Sequence, residues 1–288
     1  MGLKKDYEEY IERQNKYYAT KLSKFWYCQE ERYMKPFHIY GPVYYVGDSW
    51  VCIHLIDTGD GLLLLDSGNC GATAMLIQAI WSLGFRPDDV KWVILPHAHL
   101  DHIGSAEFFR KMFGSRLYIG EPDAVMMREH PEMVIIQDNP DLSVHLFEPD
   151  EVLREGDIKK FGNITMEFHL VPGHTPGVIG LFFDAEEDGV VKRCGYIGGF
   201  GLNTLQTKFL RDIGDEKLET RQIYIESMTR MQQQKVDIFL GNHTGNNQLI
   251  KKAEHIYKGD PGNPFIDDKE WFIYLGQMKI DCASLGTV

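Results

Sequence analysis

No CxxC pair occurs in this chain, and its five cysteines, Cys28, Cys52, Cys70, Cys194 and Cys282, are odd in number and widely spaced. A disulfide framework is therefore not expected, and a reducing compartment fits better. Basic residues are in deficit. Lys and Arg number 30 against 42 Asp and Glu, a formal net charge of -12. That balance leaves no electrostatic footprint for nucleic acid or for an anionic membrane. No run of about 18 apolar residues is present, so no transmembrane helix is expected. The opening MGLKKDYEEYIERQ lacks the apolar core of a secretory signal, which makes the cytoplasm the expected compartment. Internal repeats and low-complexity segments are also missing. What remains is an ordinary globular balance, 288 residues with 43% hydrophobic and 25% charged, enough for one large domain or two small ones.

Hydrophobic periodicity gives a coarse order of elements. Residues 4–32 are polar and tyrosine-rich and read as one or two helices. They form an N-terminal helical extension over residues 1–35, either packed on the main body, acting as a wall or lid over its site, or making a dimer contact. Val43–Val46, Val51–Asp57 and Leu62–Leu65 read as strands, with Asp60-Gly61 as a hairpin turn. Ala72, Met75, Leu76, Ala79, Ile80 and Leu83 share one helical face that stops at Gly84. Trp92–Leu95 is a short apolar strand. Ser105 is expected to cap a helix through Phe113, followed by a strand at Leu117–Ile119 and a helix at Pro122–Glu129. Strands are predicted at Ile164–Val171, Val178–Phe183, Val190–Ile197 and Val236–Leu240, and a helix at Leu218–Gln233. Lys258–Pro264 is rich in Gly and Pro and looser. Strands dominate both halves with helices between them, as two packed sheets covered by helices would require.

The chemistry is concentrated after three strands. Pro96-His97-Ala98-His99-Leu100-Asp101-His102 places four metal donors within six residues, and imidazole and carboxylate are the usual zinc ligands. In an extended turn His97 and His99 point the same way, leaving Asp101 and His102 for a neighbouring position. This spacing supports two metals better than one. His174 stands between Gly/Pro turns in Val171-Pro172-Gly173-His174-Thr175-Pro176-Gly177, and His243 follows a strand in Gly241-Asn242-His243-Thr244-Gly245. Either histidine alone would read as a solvated loop residue. Three strand-end loops each presenting histidine suggest one shared site. Asp66, at the end of a buried strand before Gly68, reads as a carboxylate supporting the ligand loop. His54, Asn203, Thr204 and Asn246 lie near these segments as candidate pocket residues.

These motifs, with the LLLLDSG stretch at Leu62–Gly68, resemble the metallo-β-lactamase superfamily from about Pro36 to His243. The resemblance implies an α/β fold, a four-layer αββα sandwich spanning residues 36–288, with the site at one edge of the sheets. Many members carry a bridging aspartate before the last histidine. The matching region here, residues 195–201, has no carboxylate, and Cys194 falls too early to replace it. The pattern is most similar to the all-histidine (third) subclass of metallo-β-lactamases. That resemblance assigns His97, His99 and His174 to a first Zn2+ and Asp101, His102 and His243 to a second. The subclass has serines near 198–200 that contact the substrate carboxylate. Gly198, Gly199 and Phe200 stand there instead, and Phe200 would make that wall more apolar.

The expected function is hydrolysis of an amide, lactam, lactone or ester of a small molecule by a zinc-activated hydroxide, with Asp101 as both ligand and orienting group. Alternatives are a true β-lactamase, a phosphodiesterase or sulfatase, an iron-dependent oxidoreductase on the same fold, and a binding protein without catalysis. The intact donor set argues against the last.

Overall fold

The computed structural model describes residue 5 and residues 7–9, 29–134 and 146–286. The predicted N-terminal helices lie almost wholly outside them. Twelve strands are present among the described residues: β1 Phe37–Tyr40, β2 Val43–Tyr45, β3 His54–Asp57, β4 Leu62–Leu65, β5 Val90–Ile94, β6 Arg116–Gly120, β7 Glu151–Leu153, β8 Ile158–Phe161, β9 Ile164–Leu170, β10 Ile179–Glu187, β11 Val190–Ile197 and β12 Ile238–Leu240. The first seven form one sheet in sequence order, and the others form a second in the order β12-β11-β10-β9-β8. The first sheet is antiparallel from β1 to β4 and parallel from β4 to β7.

Strand β4 shows how four leucines in a row serve the architecture. A strand turns alternate side chains to opposite faces, and one covered on both sides needs no polar residue. Leu63 and Leu65 enter the core between the sheets with Phe168, Leu181 and Leu240. Leu62 and Leu64 enter a second core with Leu76, Ile80, Val93 and Phe109, under the helices Thr73–Ser82 and Ala106–Phe113. A third core packs Phe182, Ile197 and Phe239 beneath the helices Glu219–Gln232 and Glu270–Ala283. Three cores separate four layers, so the architecture is an αββα sandwich. Tyr224, Met228 and Met231 are fully buried on the inner face of Glu219–Gln232, as their spacing predicts.

Some expectations change. Ser105 does not cap its helix through its side chain; its hydroxyl pairs with Thr73 Oγ1 at 2.8 Å. Only His54–Asp57 of the expected strand 51–57 pairs in the sheet, while Val51 bridges to His243. β1, β7 and β8 carry no sequence prediction.

Leu64 is fully buried against the helical layer. Leu64→Ala is expected to lower stability by about 2–5 kcal/mol, measured as a fall in the denaturant midpoint with an unchanged slope.

Candidate metal centre

The functional loops begin where strands stop. β5 runs out through Leu95 and Pro96 into His97, β9 ends shortly before His174, and β12 ends just before His243. β4 leads into Asp66, whose φ of 80° is uncommon for a residue with a side chain. Asp66 Oδ1 accepts from the Gly68 amide at 2.7 Å, and Oδ2 accepts from His102 Nδ1 at 2.5 Å. The unusual backbone turn aims this carboxylate at the histidine.

Five imidazoles and one carboxylate meet at this edge. One donor atom each from His97, His99 and His174 lies within 4.8 Å of the others, and the same holds for His97, Asp101 and His102. His243 joins the second group: its Nε2 stands 3.2 Å from His102 Nε2 and 3.6 Å from Asp101 Oδ2. His97 and His102 are fully buried, whereas the side chains of Asp101 and His243 keep 17% and 28% of their exposure, so the second group faces solvent.

The outer nitrogens explain how the rings are aimed. His97 Nδ1 donates to the Gly198 carbonyl at 2.6 Å, His174 Nδ1 to the Gly201 carbonyl at 2.8 Å and His243 Nδ1 to the Trp50 carbonyl at 3.0 Å. Carbonyls and carboxylates only accept, so these bonds set the tautomer and leave each neutral ring a bare Nε2 pointing inward. His99 is reversed and presents Nδ1, 3.0 Å from His97 Nε2. Lone pairs at such separations repel unless a cation or a shared proton lies among them. The donor set therefore fits a divalent metal, and the outer hydrogen bonds are the support that metal-binding histidines ordinarily have.

Burial pushes His97 and His99 well below the usual histidine range, and neighbouring rings push the same way. It brings His174 and His243 to about 4. His102 moves oppositely. Burial opposes its charge, but Asp101 and Asp66 outweigh that and raise it to about 9. The two carboxylates thus favour a proton on His102, whose Nε2 faces His243 Nε2 at 3.2 Å.

Three supports surround the ligands: two, Asp123 and Trp50, carry no mark in the sequence, and the third, Thr204, is expected from the sequence only as a substrate contact. Asp123 is completely buried and accepts from the Ala98 amide at 2.8 Å, the Thr175 hydroxyl at 2.8 Å and the Gly177 amide at 2.6 Å. It ties the His97 loop to the His174 loop. The Thr204 hydroxyl donates to the His174 carbonyl at 2.8 Å. Trp50 holds His243 through its carbonyl and packs its ring 5.5 Å away. Gly120-Glu121-Pro122-Asp123 reads only as an acidic first helical turn, since nothing local marks partners 25 and 54 residues distant.

Residues 52–191 match the metallo-beta-lactamase superfamily. A hydroxyacylglutathione hydrolase, GloC of Haemophilus influenzae, is 30% identical over 152 residues, covering 52% of this chain and 68% of the relative. The chain belongs to the metallo-beta-lactamase superfamily. Among solved structures it is similar to BJP-1, a subclass B3 metallo-beta-lactamase of Bradyrhizobium japonicum, with a TM-score of 0.78 and 26% identity over 91% of this chain and 95% of that one. The metallo-beta-lactamase FEZ-1 of Legionella gormanii gives a TM-score of 0.77 and 27% identity over 88% and 95%.

Within this metallo-beta-lactamase fold, residues 198–201 approach the histidines too closely for side chains at three of four positions. A Cβ on Gly198 would lie 2.5 Å from the Pro96 carbonyl oxygen, and one on Gly199 or Gly201 would lie 2.7 Å from the His174 ring. The glycines let the backbone reach its histidine partners. Phe200 is not a pocket wall. Its ring is buried against Phe239 and Tyr274, because the chain turns that side chain into the outer core. His54 lies fully buried between the rings of Tyr45 and Tyr196, bonded to the Gly241 carbonyl at 3.0 Å; it sits beneath the site, away from the pocket. Asn246 braces the last ligand loop, accepting from the His243 amide at 2.8 Å and donating to Tyr274 Oη. Asn203 is exposed on the turn Asn203–Leu205.

A divalent metal held by His102 would take the place of the proton that Asp101 and Asp66 favour there. At about pH 7 uptake is expected to release about one proton per chain from this residue, read by calorimetry in buffers of different ionisation enthalpy. Asp66→Asn lowers that number. Unchanged release in Asp66→Asn would show that the proton comes from elsewhere.

Proposed function

We propose that this protein hydrolyses an amide, lactone or ester bond of a small molecule with two Zn2+ ions, one held by His97, His99 and His174 and the other by Asp101, His102 and His243. The observation that carries this reading is a pair of adjoining donor groups that share His97, with His243 beside the second and four of five rings fixed by outer hydrogen bonds. Such ions, when bound, supply an activated water and polarise a carbonyl oxygen. Asp101 is the sole carboxylate among the six donors, and its partial exposure places it where it can orient the attacking water. Asp66 keeps His102 aimed, and Asp123 keeps the two ligand loops in register. Other divalent metals suit the same nitrogen and oxygen donors. Similarity to a hydroxyacylglutathione hydrolase supports cleavage at an acyl group. The lack of a carboxylate in residues 195–201 argues against phosphodiesterase and diiron chemistry.

Elemental analysis is expected to give about two zinc ions per chain; a value near one that zinc addition does not raise would reject the dinuclear reading. Asp101→Asn is expected to lower turnover about 10²-fold or more with an unchanged circular dichroism spectrum. Near-normal turnover would remove Asp101 from the mechanism.

Turnover of β-lactams is expected to be weak. Gly198 and Gly199 leave no room for the serines that would hold a β-lactam carboxylate, and Phe200 faces the core. A lost charge-assisted hydrogen bond weakens binding by about 1.5–3 kcal/mol, or about one to two decades. A kinetic panel of penicillins, carbapenems, lactones, thioesters and aryl esters tests this. A carbapenem kcat/KM above about 10⁴ M⁻¹s⁻¹ would contradict it.

A further inference from the structure

Beside the first donor group lies a cavity of about 330 Å³ whose wall includes His99 and His174. That size falls within the range of about 300–1,000 Å³ common to small-molecule sites. Beyond the two histidines it is lined by Met126, Met133, Phe209, Leu210, Ile213 and Ile223, with prolines and threonines between them. Among the described residues that line it there is no Lys, Arg, Asp or Glu. A substrate carrying a carboxylate or phosphate on this side would be desolvated without a partner, which is strongly unfavourable. An aliphatic chain would gain free energy with every methylene removed from water.

We infer that this cavity is an acyl subsite, and that the protein acts on a medium-chain aliphatic ester or lactone. The inference rests on the hydrolase reading above. Two features favour the acyl portion as the occupant. His99 and His174 form part of the cavity wall, so a chain within it would have one end beside these two histidines. The product of acyl cleavage is a fatty carboxylate, whose charge suits a metal-loaded site and whose tail suits an uncharged cavity. In the reaction the water oxygen bonds to the carbonyl carbon, the acyl–oxygen bond breaks, and a water proton passes to the leaving alkoxide. The methionines fit this role, since their unbranched thioethers adapt to chains of varied shape.

Two measurements on the zinc-loaded full chain test it. In the first, kcat/KM is compared across p-nitrophenyl acetate, butyrate, hexanoate, octanoate and decanoate. It is expected to rise about fourfold per methylene until the cavity is full, and then level or fall. Ile223→Trp and Ile213→Trp, both at partly exposed positions, should each reduce the octanoate-to-acetate ratio at least tenfold. A flat wild-type series, or a ratio untouched by both variants, overturns the subsite. The second is calorimetric binding of octanoate against acetate, which requires no turnover. Octanoate is expected to bind more tightly, and both variants should erase the difference. Equal binding of the two acids overturns the subsite. Tight octanoate binding with no ester hydrolysed would retain the subsite and reject the hydrolase reading.

Discussion

Four imidazoles meet at their Nε2 atoms because each has its Nδ1 held by an oxygen, and the oxygens come from three separate parts of the chain. Gly198 and Gly201 follow β11, Trp50 precedes β3, and Asp66 follows β4. Remove these anchors and each ring could rotate to satisfy its nitrogens separately. With them, the lone pairs are forced to face one another, and only a cation or a proton relieves the arrangement. The centre is thus a consequence of backbone placement, and backbone placement is a consequence of where the strands of two sheets end.

The closeness of the two sheets at this edge follows from residues with little or no side chain. Gly198 meets Pro96 across the gap, and Gly120 meets the Gly177 carbonyl at a distance no Cβ would tolerate. The Cys52 amide donates to the Asn242 carbonyl at 2.9 Å and the Thr244 amide to the Trp50 carbonyl at 3.1 Å, joining the first sheet to the last ligand loop. Asp123 provides a similar tie on the other side. It remains buried because three donors satisfy its oxygens. Burial still raises its pKa to about 6, against the lowering effect of Thr175 and the Ala98 and Gly177 amides. A carboxylate placed there is worth its desolvation only if the loops it joins must stay in register.

Charge is distributed unevenly around the centre. The chain carries a formal charge of -12, yet the cavity beside His99 and His174 has no charged lining among the described residues. Acidity at the surface and an uncharged pocket are compatible with a neutral substrate, because the strongest field in the site would come from the metals themselves. The second donor group, with Asp101 and His243 partly exposed, provides the more polar side.

Local sequence was enough to single out the five histidines and the aspartate that the fold brings together. The spacing of His97, His99, Asp101 and His102, the turn residues around His174 and the strand before His243 each leave a signature within a few positions. The same is true of the leucines of β4 and the buried face of Glu219–Gln232, where a period of two or 3.6 marks burial. What the sequence did not reveal depends on contacts between distant segments. Phe200 looked like a pocket wall and is core; Asn246 looked like a substrate contact and is a brace; Asp123 looked like a helix-start acid and joins two ligand loops. The short strands β1, β7 and β8 exist because neighbours supply their hydrogen bonds. Residue type and spacing determined which groups could bind a metal. The tertiary structure decided which way each side chain faces, since that depends on the strand ends and glycine contacts that bring separate loops to one point.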